Sequence, residues 1–232
     1  EAVDAGQPIL SHFCANSLGQ VALAQEDWAL AQTCFEKTLA LADDSGSRAM
    51  ARSRLAAAAA GRRDLDGARQ LHEEALANLA ADSAPNYVSD VQFEAGKFFQ
   101  HRGELVRATE LLERAADSAP RWDLEVQARG QLSLVEMQQV AKAEQLLERS
   151  PERALALVRQ GDQRFAGGYF QQERAYIATM ALIRLGRIDE ARARAASFGK
   201  RFPALPYGAR IRSALEARDA AAHSAASRGA DP

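Results

Sequence analysis

The chain has 232 residues, of which 47% are hydrophobic, 26% charged and 6% aromatic, and its formal net charge is −2. This apolar fraction excludes an intrinsically disordered chain, and two cysteines are too few for a disulfide-stabilised small fold. No apolar segment reaches the roughly 20 residues that a membrane span requires. Alanine makes up roughly a fifth of the sequence. Because alanine is the strongest helix former, the composition predicts an all-α protein.

A first helical hairpin is predicted over residues 12–43. Small and apolar residues recur there at steps of three and four, which is the spacing of amphipathic helices. The polar segment Glu26-Asp27 lies between the two helices. Cys14 and Cys34 fall on these consecutive helices, where we expect free, buried thiols, with a disulfide between the helices as the alternative.

Two further hairpins are predicted over residues 49–82 and 89–120. The third hairpin has the clearer pattern, with Gly96 on its first helix and Ala108 on its second. Gly103 lies between the two helices, where a residue without a side chain can adopt the left-handed conformation that ends a helix.

The rest of the chain is predicted to contain one long helix with a pairing helix, a last hairpin and a tail. No glycine or proline interrupts residues 131–149, so within residues 121–168 we favour a long helix over a broken hairpin. The pattern of the third hairpin returns over residues 172–203, and a short amphipathic helix after it is expected to cover the last apolar seam. Residues 220–232 lack an apolar stripe, so we expect a disordered tail.

These repeated hairpins resemble the tetratricopeptide repeat, a helical hairpin of about 34 residues. The signature positions are best matched in the third hairpin, by Gly96, Phe99, Gly103, Ala108, Leu112, Ala115 and Pro120. The resemblance implies an all-α, right-handed α-solenoid of about five hairpins with a C-terminal capping helix, extending over residues 1–219 as one domain. It also implies kinship with bacterial signalling and scaffold proteins that carry such repeats.

No pattern of catalytic residues, cofactor motif or metal-ligand spacing occurs in the sequence. The four histidines, His12, His72, His101 and His223, are far apart and lack ligands at suitable spacing. His72 occupies a position between helices where an aromatic residue is expected, so we assign it a packing role. We therefore predict a non-catalytic protein without a cofactor or a metal.

The resemblance implies a partner-binding groove, because the first helix of each tetratricopeptide hairpin lines a concave face. A protein or peptide partner, either extended or helical, would fit such a surface. Family members that clamp a C-terminal carboxylate use basic and amide residues there, and Asp90 and Glu94 depart from that pattern, so we expect a different ligand. The groove residues implied by the resemblance are Phe13, Asn16, Gln20, Ser53, Arg54, Asp90, Phe93, Glu94, Lys97, Gln100 and His101.

Basic residues concentrate in the last quarter of the chain, and we interpret them as solvated helix faces with no nucleic-acid partner. They are Arg184, Arg187, Arg192, Arg194, Lys200, Arg201, Arg210 and Arg212. Because residue 1 is not methionine, we expect the chain to be part of a longer protein. A cytoplasmic interaction or regulatory module is the favoured interpretation. The alternatives are a self-assembling homo-oligomer and a periplasmic or outer-membrane-associated protein whose leader was removed.

Overall fold

The structure is a computed structural model that describes residues 2–203 and 206–228, with side chains described for residues 10–203 and 206–223. Every regular element in these ranges is an α-helix, so the predicted all-α helical-repeat fold is confirmed. The helices are α1 (Ala2–Ala24), α2 (Trp28–Leu41), α3 (Ser45–Gly61), α4 (Leu65–Ala77), α5 (Pro85–His101), α6 (Leu105–Ser118), α7 (Trp122–Arg149), α8 (Pro151–Arg164), α9 (Gln171–Arg184), α10 (Ile188–Arg201) and α11 (Pro206–Arg228).

Four helix pairs lie where the sequence predicted hairpins, namely α1–α2, α3–α4, α5–α6 and α9–α10, and the helices of each pair pack against one another. The segment after the third pair forms a single helix of 28 residues, α7, as favoured from the absence of glycine and proline after Gly130. None of the described helices is long and apolar enough to span a membrane.

The described residues divide into two compact units, with the boundary between Leu132 and Ser133. We call them the N-terminal and the C-terminal unit. Helix α7 contributes residues to both, because its 28 residues contain no turn that would close another hairpin of the regular length. One apolar cluster of the N-terminal unit is centred on Phe35 between α1, α2 and α3, and that of the C-terminal unit on Ile177 and Leu182 of α9.

Helix α11 follows the last hairpin and packs against α9 and α10, as expected of a capping helix, with Ile211 buried. The sequence predicted a disordered tail from residue 220. That prediction is wrong for residues 220–228, which belong to α11. Alanine favours helix there, and Asp219 accepts a hydrogen bond of 2.8 Å from Arg192 of α10. Residues 229–232 lie outside the described residues.

The same backbone turn joins the helices of all four hairpins. Its left-handed residue is Glu26, Arg63, Gly103 or Gly186, with φ of 59°, 66°, 73° and 73°. The amide of the following residue donates to a carbonyl five residues earlier at 2.9 to 3.0 Å, and the amide of the left-handed residue donates to a carbonyl three residues earlier. These two bonds define the Schellman ending of a helix. The first helix of each hairpin therefore ends in the same way, whether or not glycine is present.

Exchanging residues at this turn should change stability in opposite directions. A side chain in the left-handed conformation costs about 1 kcal/mol relative to glycine. We expect Arg63→Gly to raise the free energy of unfolding by about 1 kcal/mol and Gly103→Ala to lower it by about the same amount. Urea denaturation followed by circular dichroism measures both changes, and Gly130→Ala, at a helical glycine with open space around it, is the control. Gly130→Ala should raise the free energy of unfolding, because alanine favours a helix interior over glycine by about 1 kcal/mol. A Gly103→Ala variant that raised it as well would contradict the role of the turn.

A buried ion network connects α7, α8 and α9 of the C-terminal unit. Arg174 is 1% exposed and forms an ion pair with Glu136, which is 2% exposed. Arg174 also donates to Asp162 at 2.9 Å and to the carbonyl oxygen of Phe165 at 2.7 Å. The Glu136 carboxylate accepts two backbone amides of the α8–α9 turn at 3.2 Å. Its charge is thus fully partnered, which burial of an ion requires.

Removing the Arg174 guanidinium should leave the Glu136 carboxylate buried without a counter-charge. We expect Arg174→Met to lower the free energy of unfolding by about 3 to 5 kcal/mol. Arg184→Met is the matched control: Arg184 pairs with Glu148 on the surface, where such a pair contributes about 1 kcal/mol or less. Adding Glu136→Gln to Arg174→Met should recover part of the loss. Equal losses for Arg174→Met and Arg184→Met in urea denaturation would refute the network's contribution.

Candidate functional site

The first helices of the three N-terminal hairpins, α1, α3 and α5, together line a groove of about 520 Å³. Residues three or four positions apart lie on one face of a helix, which explains why each helix contributes a short cluster. The start of α7 closes one side. The lining residues are Gln20, Leu23, Ala24, Met50, Ser53, Arg54, Ala57, Asp90, Phe93, Glu94, Arg121, Leu124 and Gln127.

Arg54 is the central charged residue of this groove. Burial lowers the pKa of its guanidinium, while the negative charges of Asp90 and Glu94 oppose that change. Burial likewise raises the pKa of Asp90, against the effect of Arg54 and Arg121. The groove therefore contains charges of both signs that are partly removed from water.

Two polar atoms at the groove are buried without a hydrogen-bond partner among the described residues. They are Nε of Arg54, which is a donor, and the hydroxyl of Ser53, which can donate or accept. An unpaired buried polar atom costs about 1 to 3 kcal/mol. A ligand that offers a carbonyl oxygen to Arg54 would remove part of this cost.

Phe93 lines the groove but is only 7% exposed. The ammonium nitrogen of Lys97 lies 4.9 Å from the centre of the Phe93 ring and 2.9 Å from a Glu94 carboxylate oxygen. Lys97 thus contacts the Phe93 ring, and both belong to the residues that the resemblance implies for the groove. The open apolar surface comes instead from residues such as Leu23 and Ala57.

Six of the eleven residues implied by the resemblance line the groove: Gln20, Ser53, Arg54, Asp90, Phe93 and Glu94. The other five are not among the lining residues. Phe13 is 66% exposed on α1, Gln100 is buried, and His101 ends α5, where its Nδ1 bonds the Lys97 carbonyl oxygen at 2.7 Å. The remaining two, Asn16 and Lys97, are half-buried.

Sequence reasoning missed the contribution of Arg121, which immediately precedes α7, and of Leu124 and Gln127 within α7. These residues were assigned to a divergent segment with no groove position, and no local signal distinguishes them. By contrast, Met50 could have been found, because it lies one helical turn from Ser53 and Arg54.

Across the part of the chain that the structure describes, no group of three or more His, Cys, Asp or Glu side chains could hold a metal ion. Cys14 and Cys34 are both free; Cys34 is buried as expected, whereas Cys14 is exposed.

The chain matches no protein-family model and no curated protein. Among solved structures it is similar to pilF of Pseudomonas aeruginosa, with 18% identity, a TM-score of 0.48, and coverage of 94% of this chain and 90% of that one. TTC0263, a tetratricopeptide protein of Thermus thermophilus, has 20% identity, a TM-score of 0.42, and coverage of 88% and 98%. The TPR2AB domain of yeast Sti1, in its pHSP90 complex, has 14% identity, a TM-score of 0.42, and coverage of 94% of both chains.

One helix contact recurs at the same distance from the turn in all four hairpins. The residue five positions after the left-handed residue is a fully buried alanine in each, at Ala31, Ala68, Ala108 and Ala191. In the first and third, a β-carbon added at Gly19 or Gly96 would lie 2.5 Å from the Phe35 ring or 2.8 Å from Leu112. These two hairpins therefore pack too closely for a larger side chain at either glycine.

His72 occupies the position that Phe35 and Leu112 occupy in the neighbouring hairpins, four residues after the buried alanine. It is 2% exposed, and its ring centre lies 5.0 Å from that of Phe98 on α5, which confirms its predicted packing role. Burial, together with the charge of Lys97, lowers the pKa of His72 from 6.5 to about 4. The imidazole is therefore neutral in the folded protein at neutral pH.

This histidine should make the N-terminal unit sensitive to mild acid. Between pH 6.5 and about 4 the unfolded chain binds a proton that the folded chain does not, so stability falls as the pH falls. We expect His72 to account for a loss of about 2 kcal/mol between pH 7.5 and pH 5. Urea denaturation of the wild type and His72→Leu across this range measures the difference, with the exposed His101→Leu as control. If the free energy of unfolding depended on pH in the same way for the wild type and for His72→Leu, this assignment would be contradicted.

Proposed function

We propose that this chain is a non-catalytic protein-interaction module whose groove in the N-terminal unit binds an extended peptide or a partner helix. The observation that carries the proposal is the pair of buried, unpaired polar atoms, Arg54 Nε and the Ser53 hydroxyl, in an otherwise partly apolar groove. A polypeptide offers both backbone acceptors and apolar side chains, and so complements this combination.

The charges of the groove support a ligand of mixed polarity. Arg54 and Arg121 oppose Asp90 and Glu94, so neither a strongly acidic nor a strongly basic segment is favoured. Polar pairing would set the register of the ligand, while Leu23, together with its neighbours in the groove, would bury its apolar side chains. Because α1, α3 and α5 are already packed in place, little ordering entropy is lost on binding.

In the cell, we propose that the module acts as a scaffold or as the sensor part of a larger bacterial regulator in the cytoplasm. The alternative is a self-assembling component or a periplasmic, outer-membrane-associated protein. In a scaffold or sensor module, a different polypeptide occupies the groove. In a self-assembling component, a second copy of this chain occupies it.

A peptide selection tests the groove directly. Peptides selected on the wild-type chain from a random displayed library should bind it in a fluorescence-anisotropy titration. Ala57→Trp, which fills the groove, should weaken that binding by at least about tenfold, or about 1.4 kcal/mol. Ala77→Trp, an exposed position on α4 outside the groove, is the control and should bind within about twofold of the wild type.

Equal peptide affinity for the wild type and Ala57→Trp would contradict the proposed groove, provided that circular dichroism shows both to be folded. Light scattering on the same samples separates the two classes. A concentration-dependent dimer that Ala57→Trp dissociates would assign the groove to a second copy of the chain.

A further inference from the structure

A second cavity, of about 350 Å³, lies within the C-terminal unit between the end of α8, the start of α9 and the last two turns of α10. It is independent of the groove described above. Its lining residues are Asp162, Ala166, Gln171, Arg174, Ala175, Thr179, Arg194, Ser197, Phe198, Arg201 and Phe202. We call it the arginine cleft because three of these residues are arginines.

The cationic side chains of the cleft differ in how they are neutralised. Arg174 is buried and pairs with Glu136 and Asp162. Arg194 shares Asp162 at 3.4 Å. Arg201 donates instead to the neutral side-chain oxygen of Gln171, and within the described ranges it has no ion pair with a carboxylate. Three guanidinium groups thus face two carboxylates, which leaves one positive charge uncompensated.

Arg201 stands apart from most of the basic residues that the sequence concentrates in this region. Carboxylates on the surface pair with Arg184, Arg187 and Arg192, so the positive charge of each of these arginines is already neutralised within the protein. The guanidinium carbon of Arg201 lies 5.2 Å from the centre of the Phe202 ring, a contact that restrains the side chain at the cleft. A planar guanidinium held in place is suited to bind a carboxylate through two parallel hydrogen bonds.

The walls of the cleft add an apolar component. Phe198 and Phe202 are in contact, with ring centres 5.2 Å apart, and both line the cavity. A volume of about 350 Å³ is at the lower end of the range for small-molecule sites. The cleft therefore combines an uncompensated guanidinium with an aromatic surface in a space that a compact ligand would fill.

We propose that the arginine cleft binds a small organic acid that carries one carboxylate and one apolar group. The carboxylate pairs with Arg201, and the apolar group lies against the half-buried Phe202, whose ring packs on the buried Phe198. Asp162 favours a singly charged acid over phosphate, because its carboxylate lines the same cavity and would repel a second negative charge. Binding here does not depend on the function of the groove.

Calorimetric titration of the full chain with phenylpropanoate, and separately with phenylpropanamide, tests the proposal. The acid should bind saturably at millimolar or lower concentration, and the amide at least about tenfold more weakly, since it lacks the charge. Arg201→Gln should weaken binding of the acid by about tenfold or more. Arg210→Gln, which removes an exposed arginine on α11 outside the cleft, should leave the affinity for the acid within about twofold of the wild type.

Several outcomes would overturn the assignment. They are the absence of saturable binding of the acid, equal binding of acid and amide, and equal effects of the two arginine substitutions. Displacement of phenylpropanoate by inorganic phosphate at equal concentration would also overturn the assignment. So would binding of a peptide through its C-terminal carboxylate if the free acid did not bind. The thermal unfolding of Arg201→Gln is recorded in parallel, and Arg201→Lys, which retains the charge, should recover part of the affinity if the variant is folded.

Discussion

The antiparallel packing of the four hairpins depends on one backbone constraint, the left-handed residue between their helices. Because the first helix ends in the same two hydrogen bonds each time, the second helix begins at a fixed distance and in a fixed direction. A fully buried alanine five residues later then brings the two helices into close contact. A side chain larger than alanine at that position would separate them.

The placement of the groove follows from this constraint. With the second helices packed behind them, α1, α3 and α5 present neighbouring faces, and these faces hold Gln20, Arg54 and Asp90 close together although they are far apart in the sequence. Nε of Arg54 and the Ser53 hydroxyl are buried there without partners among the described residues. The fold thus supplies a surface whose hydrogen bonds are incomplete, and the ligand that we propose for the groove would complete them.

The sequence predicted the hairpins well because their signals are local. Gly103 and Gly186 mark two of the turns, and buried alanines repeat at fixed distances from them. Glu26 and Arg63 adopt the same conformation without glycine, and only the polar segments around them indicated a turn. The division into two units, the helical residues 220–228 and the contact of Lys97 with Phe93 were not predicted. The groove was predicted in part, since six of the residues implied by the resemblance line it, whereas Leu124 comes from a helix whose packing depends on contacts distant in the sequence.

The buried network around Arg174 also has a consequence for how the C-terminal unit opens. Glu136, Asp162 and Arg174 belong to three different helices, and the two turn amides that bind Glu136 belong to the segment between α8 and α9. If any one of these helices moved away, a charged side chain of the network would lose its partner while it remained largely buried from water. Partial opening is therefore disfavoured, and the amide protons of α7 after residue 132, of α8 and of α9 should exchange with solvent deuterium as one cooperative group.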